Sequence, residues 1–392
     1  MTSSQPLYDL APLLQLMLIG AVIALGPLAW VWLRNRQHGP AVRLHALSVF
    51  TLFLTFDLVM FGAFTRLTDS GLGCPDWPGC YGSASPLGAH LEISEAQAQM
   101  PTGPVTHGKA WVEMVHRYLA TGVGVLIIAL TLLAWRLSRS GPQRAAPGGA
   151  LRGALSPWWP TVTLVWVCIQ GAFGALTVTM KLFPAIVTLH LLGGTVLLAL
   201  LCVCAVGHGQ AAHGSRPEAV PRGLRWALWL GLALLTLQVA LGGWVSTNYA
   251  VLACTTFPTC QGSWWPAMNF AQAFEIWRPL GTLQDGTHLD FQALTAIHYV
   301  HRLVAYALVL AFVALVLALR RARVLARQRR WLAGLLLLQV LTGLSNVLLD
   351  WPLLAAVLHT AGAAALVGVL VWSLCASTSA RASSTKKVIA SA

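Results

Sequence analysis

Two short segments place a histidine and an arginine beside a further polar side chain in otherwise apolar surroundings. They contain Glu113, His116 and Arg117 in the first, and His298, His301 and Arg302 in the second. Residues three apart on a helix share a face, so Glu113 lies on the face of His116. Ionisable side chains are costly in a lipid bilayer, and those found there mark functional sites that face the protein interior.

Two further histidines, His190 and His359, occur in apolar runs of their own. With His116 and His301 they make two pairs, each at similar depth on two helices of the same bundle. Such a pair is suited to binding haem iron from both sides, whereas a zinc site would gather three or four ligands, often including thiolates or carboxylates. The alternative is that each histidine only hydrogen-bonds a neighbouring helix. The recurrence of the pattern favours haem ligation.

The polar neighbours of these histidines leave more than one interpretation open. Glu113 could move protons or stabilise a developing positive charge near an iron centre, or it could cap its helix at the aqueous boundary. His298 stands at the equivalent position, and we interpret it as structural, with a ligand or proton-relay role as the alternative. Arg117 and Arg302 could bind haem propionates or anchor the helices at the interface.

Four cysteines form two pairs with identical spacing in two loops on one side of the chain. The pairs are Cys74 with Cys80 and Cys254 with Cys260. In an oxidising compartment, each pair is predicted to form a disulfide bond. Such short rings stabilise modestly, and redox exchange is a competing role. Cys168, Cys202, Cys204 and Cys375 lie in apolar runs and are predicted to be small packing residues.

The composition shows what must position these groups. Of 392 residues, 57% are hydrophobic and only 9% are charged, against roughly 25% charged in a soluble domain. Since a membrane span needs about 20 apolar residues, the chain is predicted to be an all-α polytopic membrane protein with nine spans. These are expected near 11–33, 44–65, 112–135, 158–179, 186–207, 225–246, 295–319, 331–349 and 353–376.

Basic residues predict the orientation of the spans. Most of the 25 lysines and arginines fall in alternate loops and in the tail. By the positive-inside rule the amino terminus is outside, the carboxyl terminus is cytoplasmic and the cysteine loops are periplasmic. The net charge of +13 is therefore a topology signal, and nucleic-acid binding is not expected. No basic residue precedes the first apolar run, so we expect a true helix there rather than a cleaved signal peptide.

An internal repeat divides the rest of the chain. Gln170 precedes His190 by the same interval that separates Gln339 from His359, and the cysteine pairs and His-Arg dipeptides recur in the same order. We therefore predict two duplicated four-helix bundles. The predicted segments are an extra helix and basic loop at 1–43, the bundles at 44–207 and 225–376, a cytoplasmic linker at 208–224 and a disordered tail at 377–392. A further flexible linker is expected at 139–155.

Several of these motifs together resemble the haem A synthase family. The resemblance rests on the run FTRLTDSGLGCPDWP at residues 64–78, on Glu113 with His116 and Arg117, and on the remaining histidines. It covers about residues 44–376. The additional helix at the amino terminus and the second cysteine pair depart from the family pattern.

The resemblance implies an inner-membrane enzyme that oxidises the C8 methyl group of haem O to the formyl group of haem A. It implies that the first bundle, with His116, His190 and Glu113, binds haem O, and that the second, with His301 and His359, binds a haem b cofactor. The first cysteine pair would take part in electron transfer. Partners would include haem O synthase and cytochrome oxidase assembly factors, and a homo-oligomer is possible.

Three other classes of protein remain open from the sequence. A di-haem electron-transfer cytochrome would use the same histidine pairs, although haems stacked at two depths would suit that role better. A disulfide-exchange oxidoreductase would depend on the loop cysteines rather than the histidines. A haem exporter would release its haem chemically unchanged.

Overall fold

The computed structural model describes residues 11–139 and 156–379. Within these ranges nine helices are long and apolar enough to cross a membrane, as predicted. They are α1 (Ala11–Arg34), α2 (Pro40–Leu67), α4 (His107–Arg139), α5 (Trp158–Thr179), α6 (Pro184–His213), α7 (Arg222–Thr247), α9 (Phe291–Arg321), α10 (Ala326–Leu348) and α11 (Leu353–Cys375). Two shorter helices, α3 (His90–Gln99) and α8 (Phe270–Ala273), lie in the loops that contain the cysteines.

The spanning helices are apolar around most of their circumference. α1 shows this clearly, because Leu14 and Leu18 are about two-thirds exposed while Leu16 and Ala24 are buried. A helix that is hydrophobic all round is typical of a membrane span, where lipid replaces water on the outer face. Helix ends follow local chemistry as well: α2 and α6 each begin with a proline, which lacks the N–H that a first turn leaves unpaired.

Helices α2, α4, α5 and α6 form one group, called here the first half, and α7, α9, α10 and α11 form the second half. In the first half α2 packs most extensively on α6, and in the second α10 packs most extensively on α11. The halves meet where α11 contacts α2 and α6 and where α7 contacts α6. The extra helix α1 packs mainly on α4 and so belongs structurally to the first half.

The two cysteine-containing loops have matching local structure. Cys80 forms a backbone bridge with Ser83, and Cys260 forms the same bridge with Ser263. Each loop also contains a cis peptide bond before a proline, at Pro78 in the first. Both loops lie at the same end of the helices as the histidine pairs, so each can cover the site in its own half.

The structure corrects the predicted linker and tail. The linker was expected at 208–224, but residues up to His213 continue α6, and Glu218–Val220 forms a strand, β1. The tail was expected to be disordered from 377, yet Ser377–Ser379 forms β2, which pairs in parallel with β1. Because the two strands are far apart in the sequence, no local sequence pattern predicts that they pair. Of the further linker predicted at 139–155, Arg139 is the last residue of α4, and residues 140–155, like the tail beyond 379, lie outside the described residues.

Candidate functional site

A single cavity of about 1290 Å³ contacts both halves. It is larger than typical small-molecule pockets, which measure about 300–1,000 Å³. Its walls are predominantly apolar and include all four of the predicted ligands: His116, His190, His301 and His359. Four side chains spread over more than 240 residues of sequence therefore reach one cavity.

Each of the four histidine rings lies against a glycine of the preceding spanning helix in its half. A methyl group on Gly62 would lie 3.0 Å from His116 Nε2, and one on Gly242 would lie 3.1 Å from His301 Cε1. The spaces at these two glycines exist only because they lack a side chain, so they admit a ring that a larger residue would displace.

The second pair of contacts repeats this arrangement on the other two helices of each half. The corresponding methyl groups would lie 3.5 Å from His190 Cε1 at Gly174 and 3.1 Å from His359 Cε1 at Gly343. Gly174 and Gly343 fall at equivalent positions of the repeat. The reason is now clear: both accommodate an imidazole.

The histidines also interact pairwise within each half. His190 lies within electrostatic range of His116, and His359 lies within range of His301. Among the described residues, no three histidine, cysteine, aspartate or glutamate side chains are grouped so that they could bind a metal ion alone. Two imidazoles facing a large apolar cavity suit an iron porphyrin, which brings four nitrogen ligands and needs only axial ones from the protein.

In the second half, polar neighbours orient both histidines. The Gln238 amide Nε2 lies 3.0 Å from His301 Nδ1, and Thr342 Oγ1 lies 2.9 Å from His359 Nδ1. The Thr342 hydroxyl donates its proton to the Leu338 carbonyl at 2.8 Å. It therefore accepts from the Nδ1–H of His359, and this tautomer leaves Nε2 free to bind iron.

In the first half, the histidines lack such partners. His190 Nδ1 is buried and has no hydrogen-bond partner. By the spacing of the repeat, Leu58 occupies the position of Gln238, and Phe173 occupies that of Thr342. Both replacements are apolar, which explains why the polar contacts occur in one half alone.

Glu113 is held by two donors. It is only 4% exposed, Arg117 Nη2 donates to its Oε1 at 2.5 Å, and the backbone N–H of Cys74 donates to its Oε2 at 2.8 Å. It lies in the second turn of α4, and neither donor is an amide of the first turn of that helix. The helix-capping interpretation is therefore wrong. A buried carboxylate with fixed orientation lines the cavity instead.

Arg117 and Arg302 bind the cysteine-containing loops to the helices below them. Arg117 Nη1 donates to the backbone carbonyls of Pro78 and Gly79, and its Nη2 donates to the backbone carbonyl of Asp76. Arg302 makes the equivalent contacts in the second half, to the carbonyls of Cys254, Thr256 and Thr259. Both side chains also line the cavity. The observed contacts give each arginine a role in fixing its loop, and binding of haem propionates stays a prediction.

His298 occupies the position equivalent to Glu113 and contacts a backbone carbonyl and the Arg302 guanidinium. Its Nδ1 lies 3.0 Å from the Ala250 carbonyl, and its Nε2 accepts from Arg302 Nε at 3.2 Å. Both ring nitrogens are thus engaged by the protein. This geometry matches the structural interpretation, in which His298 supports Arg302 and the loop above it.

Both predicted disulfide bonds are formed, Cys74 with Cys80 and Cys254 with Cys260. Their four residues are at most 1% exposed. A thiol from another protein can exchange with a disulfide only where it can reach a sulfur atom, so exchange would require these loops to open first. The structural role therefore has direct support from burial, whereas the redox role remains a prediction.

Two groups of residues near the site were missed by sequence reasoning. Gln238 and Thr342 are polar positions in apolar helices, and that signal alone could have singled them out. A second group joins the halves above the cavity: Arg66 donates to the Ser246 carbonyl at 2.6 Å, and the Tyr249 hydroxyl donates to Asp69 at 2.7 Å.

The contacts between the halves connect positions equivalent in the repeat. Both contacts join residues 180 positions apart, the same offset that relates Cys74 to Cys254. Burial raises the pKa of Tyr249 above its ordinary value, which is consistent with a protonated hydroxyl that donates to Asp69. Equivalent positions that contact each other in this way lie close to a pseudo-two-fold axis that relates the two halves.

Comparison with known proteins identifies the family of this chain. The sequence model of the COX15-CtaA family, described as cytochrome oxidase assembly protein, matches residues 45–371. A heme A synthase of Shewanella oneidensis is 39% identical over 323 residues, which cover 82% of this chain and 92% of that protein. Heme A synthases of Caulobacter vibrioides and Methylobacterium sp. strain 4-46 are each 30% identical, over 90% and 96% of their own lengths. The chain belongs to the COX15-CtaA family of cytochrome oxidase assembly proteins.

Proposed function

We propose that this protein is a haem A synthase, which oxidises the C8 methyl group of haem O to the formyl group of haem A. Family membership and the printed activity of the relatives support the proposal. The single observation that carries it is the difference between two histidine pairs in one cavity. A buried carboxylate, Glu113, accompanies the first pair, and orienting polar groups accompany the second.

The second half is assigned the resident haem b cofactor, held by His301 and His359. Histidines that bind a metal usually donate their second ring N–H to a neighbouring group, which fixes the ring and strengthens the bond to the metal. Thr342 is placed for this purpose beside His359, and the Gln238 amide nitrogen, a donor, orients His301 through contacts with its ring and with its backbone carbonyl. The first half, with His116 and His190, is assigned haem O. Ligands without such partners suit a group that must be exchanged at every turnover.

Glu113 is assigned the catalytic role in the first half. Bound haem supplies the redox chemistry, so the task of the protein is to place the substrate methyl group and manage charge beside it. The carboxylate can stabilise a developing positive charge or take up a proton. Arg117 and the Cys74 N–H fix its orientation, so it does not need to reorganise as charge develops.

The remaining assignments follow from the charge pattern and the family. The disulfide-bearing loops face the periplasm, the carboxyl terminus is cytoplasmic, and the host membrane is the inner membrane. The functional units are the two bundles at 44–207 and 225–376. Haem O synthase is the expected source of substrate, cytochrome oxidase assembly factors are the expected recipients of product, and a homo-oligomer is part of the proposal.

The proposal is tested by supplying haem O to the purified protein with an electron donor and oxygen, and identifying the extracted haems by mass. The wild-type protein should yield haem A. Glu113→Gln should retain haem b and bind haem O but yield no haem A, since the charge beside the methyl group is lost.

Asp57→Asn is the matched control, because Asp57 is a carboxylate within α2 that is absent from the cavity wall. It should leave product formation unchanged. Haem A from the Glu113 variant at the wild-type rate would remove Glu113 from the mechanism. Absence of haem A from the wild-type protein, with both haems recovered unaltered, would favour the electron-transfer cytochrome.

A further inference from the structure

We propose that the lipid-soluble substrate reaches the first half sideways from the bilayer, through the seam between α4 and α5. This inference rests on the proposed function, because it concerns how haem O reaches its site. α4 and α5 are the least extensively packed neighbours in the first half. Side chains along their seam therefore decide whether the cavity communicates with the lipid.

The residues along this seam that line the cavity include four small ones: Gly124 on α4, and Cys168, Gly171 and Ala172 on α5. The three residues on α5 are also exposed. A methyl group added to Gly124 or Gly171 would meet no atom within 4 Å. Space is therefore open on both sides of the seam, near the middle of the two helices and at a depth where only lipid lies outside.

The equivalent seam of the second half, between α9 and α10, carries large residues at the same four positions. They are Val309, Leu337, Val340 and Leu341. Val309 and Val340 line the cavity there, so branched side chains stand where the first half has glycine. The helices of this seam pack no more extensively than α4 and α5, so the two seams differ in the size of their side chains. A seam narrowed by large side chains suits a cofactor that stays, and a wider one suits a substrate that must come and go.

The other flank of α4 is closed by the extra helix. A methyl group on Gly20 of α1 would lie 2.4 Å from the Thr121 side chain of α4, so the two helices are in direct contact. Leu13, Leu16 and Met17 of α1 complete the cavity wall on this side. α1 lies outside the residues matched by the family model. Its effect is to seal the flank between α2 and α4 and leave the seam with α5 as the route.

A polar atom beside the seam points to an occupant. Gln170, the neighbour of Gly171, lines the cavity and is 7% exposed. Its Oε1 is buried without a hydrogen-bond partner, although buried acceptors are nearly always paired. Its equivalent in the second half, Gln339, donates to the His359 carbonyl at 3.0 Å. An acceptor left free just inside the seam is available to a donor on an incoming ligand. Gln238 Oε1 and Asn346 Oδ1 on the cavity wall of the second half are also without partners, so it is the position of Gln170 beside the seam that supports this route.

The test exchanges seam residues for those of the second half. The full-length Gly124→Val/Gly171→Val protein, containing haem b and reconstituted in liposomes, is compared with wild type for the rate at which added haem O changes the haem absorption spectrum. We expect at least a tenfold slower uptake with unchanged haem b content. Gly334→Val is the matched control, because that glycine of α10 also has open space around it but does not line the cavity.

Chemical labelling of Cys168 provides a second test of the route, in which no glycine has to be replaced by a larger residue. A bulky maleimide on this thiol should slow haem O uptake at least tenfold, and Cys168→Ser should be insensitive to the reagent. Wild-type uptake rates in both the valine variant and the labelled protein would overturn the lateral route. Uptake is scored separately from product, so a failure to make haem A would reject the proposed function while leaving the route testable.

Discussion

The two halves of this protein carry equivalent histidines on equivalent helices, but the side chains around those histidines differ. In the first half a charged pair, Glu113 with Arg117, lies beneath the loop. In the second half the equivalent pair, His298 with Arg302, is joined by a hydrogen bond to a neutral ring. The contacts of the arginine with its loop recur in both halves, whereas the residue that the arginine binds on its own helix changes from Glu113 to His298. The scaffold is thus shared, and the chemistry is set by a few side chains next to each histidine.

The same contrast extends to the groups that orient the ligands and to access from the lipid. Gln238 and Thr342 fix the second pair, and their equivalents Leu58 and Phe173 cannot. One half therefore resembles a permanent cofactor site and the other an exchangeable one. Each prediction below changes one half and compares it with the equivalent change in the other.

The largest expected difference concerns the arginines. Arg117→Leu leaves the buried carboxylate of Glu113 without its counter-charge, and breaking a buried ion pair in this way costs about 3–5 kcal/mol. Arg302→Leu leaves only neutral acceptors unpaired, at about 1–3 kcal/mol. Thermal unfolding of both variants in detergent should show the greater loss for Arg117. Equal losses of thermal stability would mean that both arginines stabilise the protein mainly through their hydrogen bonds to the loop carbonyls.

A smaller effect is expected at the orienting glutamine. Gln238→Leu introduces the residue of the first half and should weaken haem b binding about 10–100-fold, the usual effect of removing such a partner. Leu58→Gln is the reciprocal change and should tighten binding of haem O without improving turnover. Haem titration followed by absorption spectroscopy measures both affinities. An unchanged affinity in Gln238→Leu would show that this contact does not support the ligand.

The smallest effect on activity is expected at the disulfides. Removing Cys74–Cys80 with a double serine substitution opens a short ring, which costs about 2 kcal/mol. The equivalent change at Cys254–Cys260 should cost the same and, like the first, should leave the yield of haem A per folded molecule near wild type. Loss of turnover in the first variant alone, at equal stability, would instead support the redox role.

Much of this architecture could be predicted from the sequence because it depends on local composition and on the repeat. Span α2 was predicted at 44–65 and is observed at Pro40–Leu67. The sequence predicted two histidine pairs, one in each half, but not that all four histidines line one cavity. The loop contacts of Arg117 could not be predicted, since they depend on how the chain folds back over α4. The pairing of β1 with β2 likewise joins segments more than 150 residues apart. Gln238 was visible as a polar residue in an apolar helix, but its partner was not.

The central claim is that the two histidine pairs bind different haems. It is tested most directly by extracting and weighing the haems of His116→Ala and His301→Ala after supplying haem O. His116→Ala should retain haem b and produce no haem A, whereas His301→Ala should lose haem b. Loss of haem b from His116→Ala, or haem A produced by it at the wild-type rate, would contradict the account.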